Sequence, residues 1–175
     1  MSDLSVKRQT IQSLFDISGR VAVVTGGAGL YGIQIVEALA EAGARTIMAS
    51  RNLSNLQSQA EKFRQKGLSV ETLQYDQASE QSILQLLEQV VDMAGGVDIL
   101  VNNSVARCME DWTSPTADFV KSMEANATGL FVITRAFGNH MAAHGKGSII
   151  NVGSIQGMVG PDYSLYEGLN MEVDP

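Results

Sequence analysis

Apolar positions along this chain follow two rhythms that take turns. Short β-branched runs alternate with longer stretches in which apolar side chains return every three or four residues. The first run, Val21-Ala22-Val23-Val24, predicts a strand over residues 20–25 and ends at the glycine-rich stretch Thr25-Gly26-Gly27-Ala28-Gly29-Leu30-Tyr31-Gly32. A helix is predicted over 29–42, with Gly43 just past its end. A second strand, 45–49, leads to a helix with Leu53, Leu56, Ala60 and Phe63 on one face, stopped by Gly67. The third strand, 69–74, runs into Tyr75-Asp76, and Ser79 is placed to cap a helix striped by Ile83, Leu86, Leu87 and Val90. A fourth strand, 97–101, precedes Asn102-Asn103, and a long helical region from about 116 to 143 leads to a fifth strand over 148–152. Strands alternating with helices predict an α/β fold, a doubly wound parallel sheet with both faces covered. Right-handed crossovers favour strand order 3-2-1-4-5, with a ligand crevice at the carboxyl ends of the strands.

The glycine stretch adds chemistry to this pattern. A strand, a tight glycine turn and a helix start, in that order, form an anion site. The first helical N–H groups are unpaired, the dipole is positive there, and glycines let a diphosphate approach the backbone. Nucleotide binding is therefore expected at Thr25, Gly26, Gly27, Gly29, Leu30, Tyr31 and Gly32. With 175 residues, 45% hydrophobic and 18% charged, the chain has the composition of one globular domain. A lead-in over 1–15 is expected before a dinucleotide-binding domain over 16–175. The net charge of −7 argues against a nucleic-acid partner, while backbone dipoles and one or two basic groups suffice for an anionic cofactor. The apolar runs are far too short to span a membrane, and Lys7 and Arg8 are followed by no apolar signal core. The single cysteine, Cys108, rules out an internal disulfide and fits a reducing cytoplasm, the expected location. His140 and His144 have a metal-ligand spacing but lie near a predicted helix C-terminus with no third ligand, so no metal is expected. The stretch from Arg107 to Pro115, with Met109 and Trp112, is placed either to line a substrate crevice or to cover the sheet.

Several stretches, in order over about residues 15–160, resemble the short-chain dehydrogenase/reductase family. Its fold is Rossmann-like, in agreement with the pattern above. The segment from Thr25 to Gly32 is similar to its cofactor-binding glycine signature, with Leu30 standing where the middle glycine is usual. Asp76 matches an aspartate that helps hold the adenine. Asn102-Asn103-Ser104-Val105 resembles the family's Asn-Asn-Ala-Gly segment, Ser104 and Val105 being departures, and Asn103 counts among the cofactor-contacting positions. Asn126 matches the helix asparagine of the catalytic tetrad, and Ser154 the catalytic serine. The lead-in from Leu14 to Arg20 looks most like gluconate 5-dehydrogenase-like members. The resemblance implies an NAD(P)-dependent oxidoreductase interconverting a small carbonyl and alcohol, of sugar-acid or polyol type, working as a homo-oligomer.

Two positions set the finer expectations. NAD-specific sites usually carry a carboxylate after strand two, but here the residues are Ser50, Arg51 and Asn52. Arg51 is suited to a 2′-phosphate and Ser50 can donate to it, so NADP is expected in preference to NAD. The family's proton-moving group is a tyrosine whose pKa is lowered by a lysine four residues on. Tyr166 stands 12 positions after Ser154, yet its fourth successor is Asn170; Tyr163 is followed at that distance by Glu167. Family members run to roughly 250 residues. The expectation is therefore a chain cut short, with later strands beyond Pro175 and the proton moved either by Tyr166 or by a tyrosine, with its lysine, beyond Pro175. The alternative is a non-catalytic dinucleotide-binding module, or an inactive fragment lacking the Tyr-x-x-x-Lys pair.

Overall fold

The computed structural model describes residues 10–111, 113–160, 162 and 164. Its centre is a five-stranded parallel sheet of β1 (Val21–Thr25), β2 (Arg45–Ser50), β3 (Val70–Gln74), β4 (Ile99–Asn102) and β5 (Ser148–Asn151). The strand order is β3-β2-β1-β4-β5, as the alternation predicts. Val23 lies opposite Ile47 on one side and Leu100 on the other, while Leu100 faces Ile149.

Helices cover both faces, which is why β1 is buried along its whole length and reads as an unbroken apolar run. Alternate residues divide between two cores. Val21 and Val23 pack with Ile83, Leu86 and Val90 of α4 (Glu80–Ala94) and with Ile133 and Phe137 of α6 (Leu130–Ala143). Val24 and Met48 pack with Val36 and Ala40 of α2 (Leu30–Glu41) and with Leu56, Ala60 and Phe63 of α3 (Leu53–Gln65). The predicted stripes on α3 and α4 are the faces that the helices bury. Ser79 caps α4 as expected, accepting from Ser82 N–H at 3.2 Å, and Asn52 caps α3, accepting from Asn55 N–H at 3.0 Å. At the amino edge of the sheet Asp98 holds Lys146 at 2.7 Å, Arg20 at 3.1 Å and the Val21 N–H at 3.0 Å, joining the starts of β1, β4 and β5.

Three elements differ from the sequence expectation. The strand predicted over 97–101 spans Ile99–Asn102, although the Asp98 N–H already donates to the Val21 carbonyl at 2.9 Å and its carbonyl accepts from the Ser148 N–H at 2.8 Å. The helical region predicted over 116–143 is three pieces: α5 (Thr116–Met123), a π-helical turn (Glu124–Gly129) and α6. The π turn lies where Gly129 comes so close to Gln77 that a Cβ there would stand 2.0 Å from the Gln77 carbonyl oxygen. The lead-in contains a one-turn helix, α1 (Ile11–Phe15), capped by Thr10, which accepts from Ser13 N–H at 3.1 Å. Among the described residues no helix is long and apolar enough to cross a membrane.

Candidate functional site

The site forms at the carboxyl ends of β1, β2, β3 and β4, where the sheet order reverses between β1 and β4. Three glycines build the turn after β1. Gly26 takes a left-handed φ of +63°, open to glycine at little cost. Gly32, in the first turn of α2, passes so close that an added Cβ would lie 2.1 Å from the Gly26 carbonyl oxygen. Gly27 rests against Met48, where a Cβ would lie 2.9 Å from the Met48 Cβ. Gly29 occupies the N-cap of α2, which has no side-chain cap and no acidic residue in its first turn. The opening amides of α2 thus keep their donors and meet no local negative charge, as a diphosphate requires. Leu30 and Tyr31 project from this turn with most of their surface exposed.

Thr25 ties the turn to the segment after β4. Its hydroxyl receives the Asn103 N–H at 2.9 Å and the Ser104 N–H at 3.0 Å. The Asn103 side-chain amide in turn donates to the carbonyls of Thr25 at 3.1 Å and Gly26 at 3.3 Å. Asn103 therefore shapes the turn through its backbone.

Beside the turn lies a cleft of about 390 Å³, lined by Gly26, Ser50, Arg51, Asn52, Tyr75, Asp76, Gln77, Ser104, Cys108 and Lys121 among others. Its size and its mixture of apolar and polar walls suit a nucleoside. The guanidinium of Arg51 is exposed and has no ion-pair partner among the described residues. Its carbonyl accepts from the Gln74 side chain at 2.9 Å, fixing the backbone at the cleft's rim. Asn52 lines the cleft while its side-chain oxygen caps α3. Asp76 accepts from the Ala78 N–H at 3.0 Å and remains exposed to the cleft. These features fit an adenine dinucleotide, with a cradle at one end and a cation at the other.

The sequence did not single out the polar chain at the back of this cleft. Tyr75, 2% exposed, lies 2.8 Å from Gln77 Oε1 and 3.0 Å from Ser104 Oγ. Gln77 Nε2 donates to the Ala125 carbonyl at 2.9 Å. Burial pushes the Tyr75 phenol up to about 12, against the opposing hydrogen bonds of Ser104 and Thr25, so it stays protonated. Ser104, one of the departures from the family segment, is a member of this chain.

Asn126 lies in the π turn and brackets Ala106 in the segment after β4. Its Oδ1 accepts from the Ala106 N–H at 2.8 Å and its Nδ2 donates to the Ala106 carbonyl at 2.7 Å. Ser154 follows β5 at the same end of the sheet and caps the short helix Ile155–Gly157, accepting from Gln156 N–H at 3.1 Å. Asn126 and Ser154 thus flank adjoining strands. Tyr163, Tyr166, Glu167 and Asn170 lie outside the described residues, as does Trp112. The segment 107–115 contributes Cys108 to the cleft wall, while Glu110, Asp111, Thr113 and Ser114 line a separate polar hollow. The His140 and His144 rings stack at 4.3 Å, and His144 Nδ1 lies 2.7 Å from the His140 carbonyl oxygen. That contact places His144 at the C-terminus of α6. Among the described residues no group of three His, Cys, Asp or Glu is arranged to hold a metal ion.

The family model of the short chain dehydrogenases matches residues 20–167. The galactitol 2-dehydrogenase of Rhizobium johnstonii is 34% identical over 152 residues, which cover 85% of this chain and 58% of that one. The crystal structure of a gluconate 5-dehydrogenase from Burkholderia cenocepacia, in complex with NADP and tartrate, superposes with a TM-score of 0.76 at 30% identity, covering 87% of this chain and 60% of that one. An NAD+-bound xylitol dehydrogenase superposes with a TM-score of 0.76 at 27% identity, covering 82% and 56%. The chain spans little more than half the length of the curated relatives that it matches.

Proposed function

Since the chain belongs to the short chain dehydrogenase family, we propose that it is the nucleotide-binding part of an NAD(P)-dependent oxidoreductase that interconverts a small carbonyl and its alcohol. The observation that carries this reading is the uncapped start of α2, where Gly26, Gly29 and Gly32 leave donors open beside a nucleoside-sized cleft. The amides after Gly29 hold the diphosphate, Asp76 and the cleft wall hold the adenine, and Ser50, Arg51 and Asn52 hold the adenosine ribose. Arg51 without a neighbouring carboxylate favours NADP over NAD, through a charge-assisted contact to the 2′-phosphate. When bound, the nicotinamide supplies or takes up the hydride.

The chain's own residues handle orientation and the proton. The Ser154 oxygen accepts from Gln156 while its proton stays available to a substrate oxygen. The Asn126 amide uses one N–H and one lone pair on Ala106 and keeps one of each for a water in a proton relay. Tyr166, or a tyrosine outside this chain, moves the proton. Gluconate- and galactitol-type relatives favour sugar acids and polyols as substrates. A homo-oligomer is expected, a reading supported by the exposed Phe119, Val120, Met123 and Phe131 along α5 and α6. The single cysteine favours a cytoplasmic location.

Asn170, standing where a lysine would sharpen the phenol, favours a second reading, a dinucleotide-binding module without catalysis. Turnover separates the two. Purified protein, incubated with NADPH and a panel of keto-sugar acids and ketoses, should consume NADPH faster than a Ser154→Ala variant does. Equal rates, with nucleotide binding intact, would favour the non-catalytic module.

A further inference from the structure

We infer that Gln77 is a positioning residue: held by Tyr75 and Ser104, it clamps the π turn that carries Asn126. The bonds have one consistent direction. Tyr75 has a single hydroxyl proton, so when it donates to Gln77 Oε1 at 2.8 Å it can only accept from the Ser104 hydroxyl at 3.0 Å. With its oxygen accepting from Tyr75, Gln77 has its amide N–H directed at the Ala125 carbonyl, 2.9 Å away. Ala125 is the residue before Asn126. The chain therefore runs from the segment after β4, through the end of β3, into the π turn, all behind the cleft.

Two further observations show that this contact is built. Gln77 is 8% exposed and Tyr75 2%, so an unpaired amide or hydroxyl there would carry the full cost of desolvation. Gly129 closes the same turn against the Gln77 backbone, where no Cβ fits. Gln77 thus meets the π turn at both ends, by its side chain at Ala125 and by its carbonyl at Gly129. A π turn leaves helical hydrogen bonding locally out of step and needs outside partners to persist. Gln77 supplies one of them, and Asn126 itself, through Ala106, supplies another. The clamp stands on this geometry alone; its consequence for a proton relay rests on the function proposed above.

Hydrogen exchange of the full chain tests the clamp directly. The Ala106 N–H donates to Asn126 Oδ1 and so reports whether Asn126 stays in place. In Gln77→Leu, Ala106 should exchange roughly tenfold faster, the factor expected when one or two buried hydrogen bonds are lost, while the β1 amides Val21–Thr25 keep their wild-type rates. Tyr75→Phe should give a smaller rise in the same place, because Gln77 keeps its donor and loses its orientation. If Gln77→Leu does not fold, Tyr75→Phe alone decides. Unchanged Ala106 exchange, or a rise shared equally by β1, would overturn the inference. Where the protein turns over, kcat at saturating nucleotide should fall in both variants, and an unchanged kcat would overturn the relay consequence. Failure of the oxidoreductase reading would show instead as absent nucleotide binding in the wild type, which leaves the exchange result intact.

Discussion

Arg51 is the side chain on which nucleotide choice turns. It stands just after β2 with no ion-pair partner among the described residues, and no Asp or Glu occupies 49–52. Arg51→Glu should weaken NADPH binding by roughly 10- to 100-fold, the range of a lost charge-assisted contact, and weaken NADH binding far less. Fluorescence titration of both nucleotides checks this; equal losses would remove Arg51 from the site. Individual residues were legible to unequal degrees. The glycines, Asp76 and Arg51 could be placed because each is read from its order relative to a strand end. Tyr75 and Gln77 carry no local pattern, since their partners Ser104 and Ala125 lie tens of residues away and become neighbours only across the sheet. Asn52 was expected to serve a cofactor, and its oxygen is already taken by the α3 cap.

At the scale of elements, strands and helices follow the apolar rhythm closely, because buried faces must repeat with the local geometry. The π turn escapes that logic. One extra residue in a turn shifts the helical register by less than the width of an apolar stripe, so residues 116–143 still read as continuous helix. Gly129 is the local mark of the departure. In an ordinary helix interior, glycine to alanine stabilises by about 1 kcal/mol. Here the new Cβ would stand 2.0 Å from the Gln77 carbonyl oxygen, so Gly129→Ala should destabilise by roughly 1–3 kcal/mol, as overpacking does. The denaturant midpoint measures it, and a rise in that midpoint would mean that the turn relaxes freely. The edge strand β5, half exposed in its Ile150, could be placed from sequence only by its order after the last helix.

For the molecule as a whole, the two ends of the sheet have separate tasks. The amino edge is fastened by charge and the carboxyl edge is left open for a ligand. At the amino edge, burial alone would raise the Asp98 carboxyl, but hydrogen bonds from Lys146, the Val21 N–H and Arg20 outweigh it and hold it below its ordinary 3.8. A carboxyl depressed in the folded state stabilises fully above its unfolded value and loses that contribution as pH falls through the folded one. The stability gap between wild type and Asp98→Asn should therefore be wide near about pH 7 and shrink below about pH 4. A gap unchanged across that range, by denaturant unfolding, would contradict the assignment. At the carboxyl edge, nucleotide binding depends on the turn after β1 holding a diphosphate. Calorimetric titration of the folded protein with NADPH tests this most directly. Saturable binding at one site per chain, lost in Gly32→Ala where a Cβ would intrude on the Gly26 carbonyl, is the predicted result; a flat titration with both NADPH and NADH would contradict it.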